Sequence, residues 1–140
     1  AKSTFTGTPA DGLIEAGRQF PGAEVAHCPR HPLLEELSRK HAEYMASRRR
    51  QGHQQFAARM KAAMKEFGAT VRCSEIAAQS WPWQFDEDYV TLGAEMFKCW
   101  KFSKGHWSVA SKRHDWIGAG MAMGRNRLWY ATIMTVDEKK

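Results

Sequence analysis

The chain has 140 residues, 43% hydrophobic and 26% charged, which fits one globular domain around one core. No apolar run approaches the ~20 residues needed to span a bilayer. The formal charge of +6 favours polyanionic partners, such as nucleic acid, an anionic envelope polymer or an acidic protein face.

Residues 1–30 are rich in Gly, Pro, Ala and Thr, and only "LIEAGRQF" offers a short helical turn. The expectation is an N-terminal arm over 1–30 that packs on the body or contacts protein partners, followed by a domain over 31–140. The opening "AKSTFTGTPADG" lacks the apolar core of a secretory signal. It suits a chain made in the cytoplasm or assembled into a virion, the alternative being a secreted or envelope protein whose signal has been removed.

From Pro32 the pattern becomes helical. Leu34, Leu37, His41, Tyr44 and Met45 recur every three or four residues, Pro32 suits a first turn, and Gly52 breaks the run. A second helix carries the stripe Phe56, Met60, Ala63, Met64 and Phe67, with Gly68 placed to end it. A strand is expected around Val71 to Ile76, before Pro82 ends regularity. A third helix begins near Asp86 and buries Tyr89, Leu92, Met96 and Trp100. The chain closes with a hairpin. Ile117, Ala119, Met121 and Met123 alternate with small residues, a turn falls at Arg125-Asn126, and an aromatic and β-branched strand follows. The small face of the first hairpin strand allows close approach by another element, expected to be a helix. Helices before a terminal antiparallel hairpin indicate an α+β fold.

Three positions with chemical potential lie at element edges: His53 after Gly52, Glu75 beyond the second helix, and His106 after the third. Cys73 lies close to Glu75, but no protease-type motif surrounds it, and a buried inert thiol is the expectation. His27, Cys28 and His31 in "HCPRH" offer ligands without an evident fourth, and read as a turn. With Cys99, the cysteines number three and include no C-x-x-C pair, which points away from a disulfide framework. Basic clusters at Arg48-Arg49-Arg50, at Lys98, Lys101 and Lys104, and at Lys112-Arg113 are either solvated surface or a docking face for a polyanion. No specific nucleic-acid-binding signature is present.

The order of these features resembles the CAP superfamily (cysteine-rich secretory proteins, antigen five and pathogenesis-related proteins), in its bacterial SCP-like branch. The resemblance covers roughly 31–140. It rests on "HPLLEELSRKHAEYMA", the histidine of "QGHQQF", the acid of "CSEIAAQSW", then "CWKFSKGHW" and "IGAGMAMGRNRLWYATIMT". The most specific segment is Trp100-x-x-Ser103-x-Gly105-His106, followed by Ile117-Gly118-x-Gly120.

The resemblance implies a three-layer α-β-α sandwich with a small antiparallel sheet and a cleft formed by His53, Glu75, Ser103 and His106. It also implies a histidine pair, His53 and His106, able to hold zinc or another divalent cation. Several departures reduce that polar cluster. The family's Gly-Glu-Asn motif reads Ser74-Glu75-Ile76, Ser103 replaces a second acid, and Ser108-Val109 replaces a Thr-Gln pair. Any metal held by His53 and His106 is therefore expected to be weak. Gly105 is read as the point where the chain leaves the third helix, and Trp107 as packing. Glu75 has three readings: a metal ligand, a general base, or a buried acceptor that orients one histidine.

The functional expectation is a binding or accessory module rather than an enzyme. Its alternatives are a component of a virion or envelope complex that uses the arm, and a weak metal-assisted hydrolase with Glu75 as base.

Overall fold

A computed structural model describes residues 5–80 and 88–138. In chain order these residues form α1 (Pro9–Gln19), a 3-10 turn (Glu24–His27), α2 (Pro32–Arg48), α3 (Phe56–Phe67) and β1 (Arg72–Gln79). Then follow α4 (Tyr89–Lys101), α5 (Lys104–Ala110), β2 (Trp116–Met123) and β3 (Trp129–Asp137). The strands make one antiparallel sheet in the order β1-β3-β2, so the last strand in the chain is the central one. The expected positions of Pro82 and Asp86 lie outside the described residues; α4 begins at the Asp88 cap, whose carboxylate accepts the Thr91 N–H at 2.7 Å.

Side-chain alternation along the strands divides the core in two. Ile76, Ala78, Ile117, Ala119, Ala131 and Ile133 pack with Leu13 of α1 and with Leu92, Met96 and Trp100 of α4. The opposite face carries Ala77, Tyr130, Met134 and Val136, packed against Leu34, Met45 and Ala46 of α2 and Ala63 of α3. The fold is α+β, with helices on both faces of the sheet.

Two glycines set the spacing on the α2 side. A Cβ on Gly118 would stand 2.1 Å from the backbone carbon of Leu34, and one on Gly120 would stand 2.3 Å from the carbonyl oxygen of Ser38. The α2 backbone therefore rests directly on β2, where the Ser38 hydroxyl donates to the Gly118 carbonyl at 3.1 Å. This is the close approach that the small-residue face of the hairpin predicts.

Two expectations need correction. The described residues before His31 are not an arm, because Leu13, Ile14, Val25 and Ala26 are fully buried members of the main core. Their contribution was hidden because α1 meets α4 through small residues: a Cβ on Gly12 would lie 2.3 Å from Tyr89 Cβ, and one on Gly93 would lie 2.8 Å from Ala16 Cβ. A helix that packs backbone to backbone shows no broad apolar stripe. Its start was nevertheless written in the sequence as a capping box, in which Thr8 and Asp11 exchange backbone and side-chain hydrogen bonds around Pro9.

The second correction concerns Gly105. Helix α4 stops at the Phe102 cap and a new helix starts from Ser103, so Gly105 and His106 lie in the first turn of α5.

Two substitutions test this packing. Gly120→Val should destabilise by about 3 kcal/mol, the upper end of the usual overpacking cost, because the clash is with helix backbone that cannot rotate away. Leu13→Ala should cost about 2–5 kcal/mol, the range for a fully buried leucine. Urea denaturation read by circular dichroism measures both, and a near-wild-type midpoint for Leu13→Ala would restore the arm.

Candidate functional site

Glu75 lies on edge strand β1, on the face that looks toward α2 and α3. Its side chain is 1% exposed. A carboxylate that deep requires a charged or multiply hydrogen-bonded partner, and α3 supplies one. The Arg59 guanidinium makes a two-pronged contact, Nε to Oε2 and Nη2 to Oε1, both at 2.6 Å. Its remaining Nη1 donates to the Gln54 carbonyl at 2.8 Å, which ties the loop before α3 to the same pair.

That loop presents His53. Its Nδ1 lies 2.9 Å from Glu75 Oε1, and since the carboxylate is the acceptor, Nδ1 carries the hydrogen. Nε2 is then the nitrogen left free, on a side chain 46% exposed. The loop is turned by two residues in the left-handed region, Arg49 at φ 54° and Gln55 at φ 64°. His41 closes the group from α2: its Nε2 donates to the Gly52 carbonyl at 2.8 Å and lies 3.5 Å from Glu75 Oε1. Burial holds His41 below the ordinary histidine pKa. The Gly52 carbonyl and Glu75 work against that shift, and the positive charges of Arg59 and His53 add to it. The buried His41 Nδ1 has no hydrogen-bond partner among the described residues, so a proton placed there would have no acceptor.

His106 comes from the other side of the sheet edge, on α5, a helix that packs against β1. Burial lowers its pKa, and the charge of His53 lowers it further. Glu75 of β1 and His53 are joined by a hydrogen bond, and His106 lies on the helix that packs against the same strand. Ser103 takes the N-cap position of α5 and makes no side-chain capping bond.

His31, Cys28 and the neighbouring His114 have structural roles. His31 caps α2 by accepting the Leu33 N–H at 3.1 Å. The Cys28 sulfur accepts the His114 N–H at 3.2 Å, and burial raises the Cys28 pKa, as it does for Cys73. All three cysteines are free thiols. The His114 ring bridges Asp137 and the Val109 carbonyl, each at 2.9 Å.

Arg59 and His41 were missed as site residues. His41 was read as part of a core stripe. Arg59 follows Phe56 by three positions and precedes Ala63 by four, which places it on the buried face of α3. A charge on an apolar stripe demands a buried counter-charge, and that was the available signal.

Two of the three readings of Glu75, general base and metal ligand, do not suit this geometry. Glu75 cannot serve as a general base for cleft water, because both of its oxygens are bound by Arg59 and it has almost no exposed surface to meet solvent. Nor do the residues fit a three-ligand metal centre. Among the described residues no three His, Cys, Asp or Glu side chains are grouped to hold a metal, and the guanidinium on Glu75 repels a cation.

No family model matches the chain, and no curated protein matches it. Among solved structures, an outer surface protein from Borrelia burgdorferi shares the fold with a TM-score of 0.62 at 14% identity. The match covers 91% of this chain and 90% of that one, so the likeness spans nearly the whole architecture.

Two results follow from the buried network. Arg59→Met should destabilise by about 3–5 kcal/mol, because it leaves Glu75 buried without a counter-charge; the double variant Arg59→Met, Glu75→Leu should recover most of that loss. Stability should also depend on pH through His41 and His106. Both have folded pKa values below the unfolded 6.5, so the unfolded chain takes up protons first. Their contribution is complete above 6.5 and drains away as pH falls toward the folded values. Thermal unfolding on either side of that value should show this fall, and His106→Gln should reduce it.

Proposed function

We propose that the chain is a CAP-like binding or accessory module, with a cleft in which His53 and His106 contact a polar ligand. The observation that carries this reading is an exposed imidazole fixed to a buried guanidinium–carboxylate pair. His53 is locked through Nδ1 and presents Nε2 outward. Burial and the nearby charge favour a neutral His106, so a second ring can either donate or accept a hydrogen bond. Such an arrangement recognises polar groups by hydrogen bonding.

The family resemblance of "WKFSKGHW" and the α-β-α layering support the CAP reading. The description of the Borrelia neighbour as an outer surface protein favours a role at a cell surface. A role in assembly through the N-terminal segment loses its motive once α1 belongs to the core.

Zinc is a convenient probe of the paired imidazoles. Calorimetric titration should give weak, micromolar or poorer binding that His106→Ala abolishes. Ring resonances of His53 and His106 should respond, while those of His31 and His114 stay still. Nanomolar affinity would require a third ligand and overturn this description of the cleft, as would a response confined to the other histidines.

A further inference from the structure

We infer that the corner between α4 and α5 is a docking surface for anionic lipid membranes. The inference is independent of the cleft. Between Glu95 and Asp115 the sequence runs for 19 residues with five Lys or Arg and no acid, against a net charge of +6 for the whole chain. The structure brings three of those cations to one exposed corner: Lys98 and Lys101 in the last turn of α4, and Lys104 at the start of α5.

At the centre of them stands Phe102, the cap residue of α4, which is 90% exposed. A phenylalanine in water contributes almost nothing to the core, and a partner that covers it removes its apolar surface from water. The residue is held rigidly. Its N–H bonds back to the Lys98 carbonyl, and neighbouring Trp100 is pinned to the sheet through a 3.1 Å bond from Nε1 to the Ala77 carbonyl. Lys101 is held over the Trp107 ring, 4.3 Å from its centroid, and Lys98 pairs with Glu95 at 3.0 Å. Lys104 has no ion-pair partner among the described residues. A Cβ on Gly105 would meet nothing within 4 Å, so the corner projects into open solvent.

Charge complementarity selects a polyanionic occupant, and the apolar tip selects among polyanions. Strands of nucleic acid are bound in grooves with successive aromatic platforms. A projecting corner with one aromatic tip ringed by lysines suits a bilayer interface: the ring enters the headgroup boundary and the lysines meet anionic lipid, each worth about a fivefold gain in partition.

The test is co-sedimentation of the full chain with vesicles of phosphatidylcholine alone, or with roughly 30% phosphatidylserine, at low and high salt. The chain should bind only the anionic vesicles and should leave them at high salt. Lys98→Gln with Lys104→Gln should weaken binding roughly 25-fold. Phe102→Ser should weaken vesicle binding several-fold while retention on a heparin column stays unchanged. Since Phe102 is outside the core, the circular dichroism spectrum of this variant should match wild type. Equal binding to neutral vesicles, or none to anionic ones, would overturn the proposal. So would vesicle binding indifferent to Phe102→Ser, which would make the corner a site for nucleic acid or another soluble polyanion.

Discussion

A carboxylate with 1% of its surface in water, on an edge strand, is the constraint around which this domain's candidate site is organised. Desolvating a lone Glu75 would cost several kcal/mol or force it to take up a proton. The fold answers with a bidentate guanidinium from α3, a loop histidine and a helix α2 histidine that binds the loop carbonyl. Each of these groups is fixed by what it does for Glu75. The consequence is an imidazole of defined orientation at the surface, on a loop that Arg59 and His41 also tie through the Gln54 and Gly52 carbonyls.

That arrangement depends in turn on how close α2 can come to the sheet. Gly118 and Gly120 leave no side chain between β2 and the α2 backbone, so α2 lies flat on that face. His41, further along α2 than Leu34, is thereby brought down toward β1 and the Gly52 carbonyl. A second electrostatic knot holds the other end of the same helix. Arg30 pairs with Asp11 at 2.8 Å and with Glu35, whose second oxygen accepts the Ala119 N–H at 3.1 Å. One ion pair joins α1 to α2 and to an edge of the sheet, while the other joins α2, α3 and the opposite edge. The buried Arg59–Glu75 pair adds little net stability but penalises any other register.

Much of this was legible beforehand. The apolar spacing of α2, α3 and α4, the glycine that ends α3 and the alternation of the terminal hairpin all appear where local pattern placed them, because each is a local consequence of periodicity. Helix α1 is harder to read by the same rule, since its contact with α4 runs through Gly12, Ala16 and Gly93 and leaves Leu13 and Ile14 as its large buried side chains. The break at Phe102 was invisible because the stripe of α4 runs straight into α5 residues with no proline to interrupt it. In the site, His53, Glu75 and His106 stood out at element edges, and one of the readings of Glu75, an acceptor that orients a histidine, matches its bonds. The guanidinium that completes the group could be found only by asking why a charge sits on the buried face of α3. That question needs the sheet to be in place before it has an answer.

The central claim is that Glu75, held by Arg59, fixes the protonation and direction of His53. Imidazole nitrogen chemical shifts from a long-range proton–nitrogen spectrum, recorded at mildly alkaline pH, test it most directly. The account predicts that His53 is protonated at Nδ1 and bare at Nε2, and that Glu75→Gln shifts its ring toward the mixture of tautomers seen for a free histidine. A His53 protonated at Nε2, or a tautomer indifferent to Glu75→Gln, would contradict it.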